Sequence, residues 1–193
     1  MQAEIVRLKA ENEKLKTSNR RWMRIAGTDT LTGLRNKVFF TMALLPQAIN
    51  KANADGEFIG CIIVAPDGLG EINEKYGRGG GDHIVKEVAE FLKGNVDADE
   101  QLVHFDGANF VILLADRDLK DAKRKGLALR AKISNRTFEF NGSSISLTLS
   151  VGVVVRTPSS EGSKVNAKEV VEEFLRRLET MLDQAKQQGG GTE

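Results

Sequence analysis

An Asp-Gly pair, Asp106-Gly107, sits between two short apolar runs, Gln101-Leu102-Val103 and Val111-Ile112-Leu113-Leu114. Such a pair between β-type runs is a strong hairpin signal, because glycine takes the positive φ of a tight turn without steric cost. The stretch His104-Phe105-Asp106-Gly107-Ala108-Asn109-Phe110 is therefore predicted to turn tightly and to present short side chains at a sheet edge.

Residues 58–65 are a nearly continuous apolar run and predict a central buried strand. Before it, residues 38–50 read as a helix with Pro46 as a kink or boundary, and residues 53–56 as a turn. After it, Pro66 to Gly70 break the strand and residues 71–76 read as a short helix. The glycine-rich residues 77–82 read as a flexible loop, with Asp82 capping a helix over 83–92. A basic helix is expected over 119–133, with its lysines and arginines on a solvated face. Residues 137–140, the Asn141-Gly142 turn and residues 146–155 read as a second hairpin. The alternation of Ile145, Leu147, Leu149, Val151 and Val153 with small or polar residues predicts that its long strand is half-buried. A polar loop at 157–166 leads into an amphipathic helix over 167–186, and the Gly189-Gly190-Gly191 tail is expected to fray.

The first 26 residues contain no glycine or proline. With Ile5 at heptad position a, Leu8 falls at d, Asn12 at a, Leu15 at d, Asn19 at a, Trp22 at d and Ala26 at a. Glu4 and Glu11 fall at g, and Lys9 and Lys16 at the following e positions, so a parallel dimer would pair them across the seam. The competing reading is one amphipathic helix packed on its own domain.

Composition narrows the function classes. Lys plus Arg is 28 and Asp plus Glu is 27, so no whole-chain field points to nucleic acid. Cys61 is the single cysteine and can form no internal disulfide, which suits a reducing, cytoplasmic compartment. No apolar run approaches the ~20 residues of a membrane span. His83 and His104 have no partners at zinc-ligand spacing.

Several stretches carry a resemblance. Asp29, Leu31, Thr32, Gly33, Leu34 and Asn36 match D-x-L-T-G-L-x-N-R, with Lys37 in place of the final Arg. Ile72, Asn73, Tyr76, Gly77, Gly81 and Asp82 match D-x-D-x-F-K-x-I-N-D-x-Y-G-H-x-x-G-D. Leu149 to Val153 resemble a late S-x-G-x-A strand, and Ala185-Lys186 begin a closing A-K-x-x-G-R-N in which Gly190 and Gly191 replace Arg and Asn. In this order the motifs resemble those of the GGDEF family, the diguanylate cyclases. The resemblance implies an α/β (α+β) fold: a five-stranded, mostly antiparallel central sheet wrapped by helices, as in nucleotidyl cyclases. It implies a stalk helix at 1–27, a GGDEF domain at 28–188 and a flexible tail at 189–193.

The resemblance also says what the chemistry would need. The family joins two GTP molecules, one held by each protomer of a dimer, with divalent metals bound by the first Asp of D-x-D and by the acids of the GGDEF turn. Here Ala65 replaces that Asp and DGANF replaces the turn, so Asp106, Gly107, Ala108, Asn109 and Phe110 mark a degenerate catalytic position. Asn109 offers a neutral carbonyl but no charge and no base. Asp67 is kept, as a weak metal candidate, and Gly70 replaces a lysine. Asp106 adds negative charge where a triphosphate would approach, at about 1 to 4 kcal/mol depending on solvation. Nucleotide-binding candidates are Asn73 and Asp82, whose counterparts hydrogen-bond guanine, and Lys186, whose counterpart contacts phosphate. Asn73 and Asp82 also read simply as cap and turn residues. The family's product-binding R-x-x-D inhibitory site is absent, because its positions hold Asp97 and Glu100.

The expected function is a catalytically inactive GGDEF domain, a dimeric signalling or protein-interaction module in bacterial cyclic di-GMP-type signalling. The alternatives are a GTP-binding sensor without turnover and a diguanylate cyclase with an atypical metal site. Expected partners are a second copy through the N-terminal helix, a signalling protein that the sequence does not identify, and GTP in the sensor reading. Magnesium enters only with residual nucleotide binding.

Overall fold

The computed structural model describes residues 2–157 and 167–187. Residues 158–166 of the loop expected at 157–166, and the tail at 189–193, lie outside the described residues. The elements are α1 (Gln2–Ala26), β1 (Arg35–Asn36), α2 (Lys37–Phe39), α3 (Leu45–Asp55), β2 (Ile59–Pro66), α4 (Leu69–Lys93), β3 (Gln101–Asp106), β4 (Asn109–Ala115), α5 (Leu119–Ser134), β5 (Thr137–Phe140), β6 (Ser143–Ser146), β7 (Leu149–Arg156) and α6 (Ala167–Gln187).

The central sheet has five strands in the order β1-β3-β4-β2-β7. Only β1 and β3 pair in parallel, and the other pairings are antiparallel. The expected mostly antiparallel five-stranded sheet is thus present. Every residue of β2 is buried, so alternate side chains feed two cores. Ile62 and Val64 join Phe110, Ile112, Val151 and Val153 under α4 and α5. Cys61, Ile63 and Ala65 join Phe105, Val111 and Val154 under α3 and α6. Burial alone pushes the Cys61 thiol well above its ordinary pKa, which keeps it protonated and unreactive.

Several local expectations change. The helix expected over 38–50 instead runs from α2 through a π-helical turn, Phe40–Leu44, into α3. Pro46 has no N–H to donate, and the wider turn shifts the preceding bond so that Leu45 N–H reaches Phe40 O. The residues expected to form a turn at 53–55 complete α3, and Gly56 caps it at φ 69°.

The glycine-rich loop expected at 77–82 is helical except at Gly77, where φ is 72° and ψ 177°. Asp82 therefore stands inside the second half of α4, not at an N-cap. The glycines serve close packing: a Cβ on Gly80 would fall 2.5 Å from Tyr76 Cβ, and one on Gly81 would fall 2.0 Å from Asn73 Oδ1.

The second hairpin pairs β5 with β6 as a separate two-stranded sheet. β7 starts after a break at Leu147-Thr148 and pairs with β2. It is buried on both faces from Leu149 to Val154, not half-buried. Helices approach it from both sides: a Cβ on Gly126 of α5 would lie 2.7 Å from Val151, and one on Gly152 would lie 2.9 Å from the Met181 backbone of α6. Ser146 and Thr148, ahead of β7, are exposed as the alternation implies, but within β7 Ser150 is buried and donates to Asp67 and Gly152 lies against α6.

Candidate functional site

The β3–β4 hairpin turns where Asp106-Gly107 predict it. Asp106 pairs with Asn109, the ladder shifts register between His104 and Asp106, and Gly107 takes φ 55°. Phe110 is fully buried and stacks on the His104 ring at 4.9 Å. Ala108 and Asn109 are half-buried at the tip.

The C-terminal end of β2 and the end of α6 meet beside this turn. A cleft of about 430 Å³ is lined by Asp67, Gly68, Gly70, Thr148 and Lys186. Lys186 Nζ lies 3.5 Å from Asn109 Oδ1, which ties the cleft to the hairpin tip. Ala65 is buried, one residue before the end of β2. Asp67 is engaged on both oxygens: Thr148 Oγ1 donates to Oδ2 at 2.5 Å and Ser150 Oγ to Oδ1 at 2.6 Å. Its backbone N–H bonds Thr148 O at 2.9 Å. The two hydroxyls belong to the β6–β7 link and to β7. No local sequence pattern links either hydroxyl to Asp67.

Asn73 and Asp82 lie on either side of the Gly77 kink. The packing of Asn73 against Gly81 draws them together, and both are exposed. Asp106 is exposed and meets Lys37 Nζ at 3.6 Å; the same ammonium pairs with Glu179 of α6 at 3.1 Å and sits 4.4 Å over the Phe105 ring. The Asp106 charge is thus partly offset, although such an exposed pair contributes little stability.

Asp97 and Glu100, which stand where the resemblance would place an inhibitory site, both bind Lys125 of α5, at 2.9 and 2.6 Å. Hydrogen bonding to Lys125 lowers the Asp97 pKa. Burial lowers the Lys125 pKa, but its bonds to Glu100 and Asp97 outweigh that and leave it raised. No sequence signal ties residue 125 to this loop.

The loop after α1 reaches the hairpin as well. Asp29 Oδ1 lies 2.8 Å from His104 Nδ1, and His104 Nε2 lies 2.8 Å from Gly107 O. Burial raises the Asp29 pKa, but hydrogen bonds from His104 and Thr32 outweigh it, so the carboxyl titrates below its usual range. Nothing in the local sequence pairs Asp29, a residue of the D-x-L-T-G-L match, with His104 of the hairpin. The motif residues Thr32 and Leu34 complete a tight bend: Thr32 donates through N–H and Oγ1 to Asp29 Oδ1, and Asp29 N–H bonds Leu34 O.

A family model described as diguanylate cyclase, GGDEF domain, matches residues 26–192. The chain belongs to the GGDEF family. The response regulator PleD of Caulobacter vibrioides is 28% identical over 167 residues, covering 86% of this chain and 35% of PleD. The chain thus spans about a third of that relative's length. Among solved structures, the coiled coil and GGDEF domain of DgcB from Caulobacter crescentus, in complex with c-di-GMP, superposes with a TM-score of 0.76 at 21% identity. That match covers 99% of this chain and 97% of DgcB's. Diguanylate cyclase SiaD of Pseudomonas aeruginosa, in complex with its activator SiaC, gives a TM-score of 0.75 at 19% identity, over 98% of this chain and 69% of SiaD's. At these identities the structural likeness carries the GGDEF fold.

Proposed function

We propose that this GGDEF domain does not catalyse cyclic di-GMP formation and works by protein contact, as a dimeric module in bacterial cyclic di-GMP signalling in the cytoplasm. The observation that carries the reading is the donor set around the cleft. Ala65 and Ala108 offer no ligand atom, Asn109 is neutral, and both oxygens of Asp67 already accept hydroxyl bonds. Magnesium requires several hard, mostly anionic oxygens in near-octahedral array, and these residues do not fit it. Among the described residues no group of three or more His, Cys, Asp or Glu side chains stands together. Loss of the metal site removes the charge stabilisation that phosphoryl chemistry depends on, at a cost of several orders of magnitude in rate.

A second reading rests on a separate observation. Asn73 beside Gly81-Asp82, and Lys186 at the cleft, leave polar groups for a guanine nucleotide without a metal. The domain would then be a GTP sensor without turnover. Titration of labelled GTP with and without Mg²⁺, with cyclic di-GMP assayed in the same samples, separates the readings. The expected result is no product and no Mg²⁺-dependent binding. Tight Mg²⁺-independent binding without product moves the reading to the sensor, and product at a cyclase-like rate restores the cyclase with an atypical metal site.

The dimer is proposed to form through α1. Ile5, Leu8 and Leu15 are 47%, 52% and 64% exposed along one seam, and Asn12 between them is exposed too. The side chains of Asn19 and Trp22, expected on the same seam, lie outside the described residues. Pairing of two such helices would bury this stripe and align Glu4 with Lys9 across it. Leu8→Glu/Leu15→Glu is expected to halve the mass in light scattering while leaving the circular dichroism of the domain intact. An unchanged mass would remove the stalk as the dimer contact. No helix among the described residues is long and apolar enough to cross a membrane. The further partner is proposed to be a signalling protein.

A further inference from the structure

We propose that His104 is a proton-dependent clasp, joining the loop that leaves α1 to the tip of the β3–β4 hairpin through an imidazolium that bonds Asp29 and Gly107 together. The inference holds whether or not the cleft takes a nucleotide.

His104 is buried at 7% exposure, with Nδ1 2.8 Å from Asp29 Oδ1 and Nε2 2.8 Å from Gly107 O. A peptide carbonyl can only accept. An ionised carboxylate can only accept, and the hydrogen bonds that lower the Asp29 pKa keep it ionised. Thr32 Oγ1 lies 3.5 Å from Nδ1, but its hydroxyl donates to Asp29 Oδ1 at 2.7 Å. Both ring nitrogens therefore face acceptors, and both bonds form together only when both nitrogens carry hydrogen.

The surroundings hold the ring in this position. Phe110 stacks on one face with 20° between the planes. The charged groups nearby come from four elements. Asp29 approaches from the α1 loop. Asp106 follows on β3. Lys37, at the start of α2, pairs with Asp106 and Glu179. Lys93, at the end of α4, pairs with Glu90 and donates to Thr32 O at 3.3 Å. Asp29 alone among these contacts the ring directly.

Loss of one ring proton leaves one donor for two acceptors. The anionic Asp29 is the stronger acceptor and keeps it. The Nε2 lone pair then faces the Gly107 carbonyl, and the turn loses its tie to the loop. That loop is itself fastened to the end of α1, because Asn36 Nδ2 donates to Ala26 O at 2.7 Å and Asn36 N–H bonds Gly27 O at 3.0 Å. A bonded path thus runs from the stalk to the hairpin tip, and its last link depends on a proton.

The test uses the whole chain and nitrogen-15 NMR from about pH 5 to about pH 8, the range in which imidazole chemistry can switch. The ring nitrogens of His104 are expected to read as doubly protonated at the acid end. As that signal converts, the amides of Gly107, Ala108 and Asn109 are expected to shift in step. Their exchange protection, corrected for intrinsic pH dependence, is expected to fall about tenfold, as for loss of one charge-assisted bond. In His104→Gln the step at these amides is expected to vanish. In His104→Arg, charged at every pH, they are expected to stay flat and protected. A ring with one N–H throughout the range overturns the clasp without any variant. So does a step at residues 107–109 that survives in His104→Gln.

Discussion

Replacing Lys125 with Met is expected to destabilise the fold by about 3 to 5 kcal/mol, because it leaves a buried carboxylate without its counter-charge. The Glu100 side chain is 1% exposed, and Lys125 Nζ lies 2.6 Å from its Oε2. The same oxygen accepts from the Asp97 N–H at 2.7 Å, while Oε1 is buried with no hydrogen-bond partner among the described residues. Lys125 is thus the only cation paired with this carboxylate there, and it also reaches Asp97 at 2.9 Å. Asp97 is exposed and adds little; the buried pair sets the effect. Urea unfolding should show a lower midpoint at unchanged slope. Lys125→Met/Glu100→Leu should recover most of the loss, since an apolar pair of similar volume often replaces a buried ion pair without cost. A single-variant loss under ~1 kcal/mol would mean that the carboxylate finds water or a proton instead. The pH dependence has a definite sign. The folded pKa of Lys125 is raised, so its contribution is complete below the unfolded lysine value of ~10.4 and is lost as pH rises through the folded value. Lys125→Met should therefore remove an alkaline unfolding component and also the smaller acid-side contribution of Asp97, whose pKa Lys125 holds down. The same pair fills the position where the family's inhibitory site would need an arginine, and its cation comes from α5 instead of from the loop.

That origin shows what could be read in the sequence and what could not. Asp106-Gly107 between two apolar runs specifies the hairpin locally, and the run at 58–65 specifies a buried central strand; both signals lie within a few residues of what they describe. The sheet and the family followed from such signals. The errors share a different cause. At Gly80 and Gly81, glycine permits either a mobile loop or close packing, and only Tyr76, Phe140 and Asn73 decide between them, whereas Gly77 supplies the positive φ of the kink. In β7, alternation with Ser150 and Gly152 suggests a wet face, but α6 lies against Gly152 and Ser150 donates to Asp67. The Asp29–His104 and Glu100–Lys125 pairs join residues whose local context says turn former, strand residue or solvated helix. Such pairs are set by the sheet order and by the docking of α5, and no local pattern encodes them.

Phe110→Ala is expected to cost about 3 to 5 kcal/mol, whereas Asn109→Ala in the same turn should change stability by less than ~0.5 kcal/mol. Phe110 is fully buried in the core under α4. On β4 it pairs with Val64 of β2 on one side and with His104 of β3 on the other, and its ring lies parallel to the imidazole. Truncation would open a cavity at the sheet centre and remove the surface that holds the His104 ring against Asp29 and Gly107. Asn109 is half-buried, and among the described residues its side chain hydrogen-bonds only Lys186, at 3.5 Å, a long and exposed contact. The contrast separates two roles that the family's motif combines. If the turn is retained for packing and coupling, Phe110→Ala should also loosen the Gly107 and Ala108 amides in hydrogen exchange. Asn109→Ala should leave those amides, the melting temperature and the mass unchanged. An Asn109→Ala loss comparable to that of Phe110→Ala would mean that the hairpin tip carries a structural load the packing does not predict. A small effect of Phe110→Ala would mean that β2 and β4 close over the gap without it.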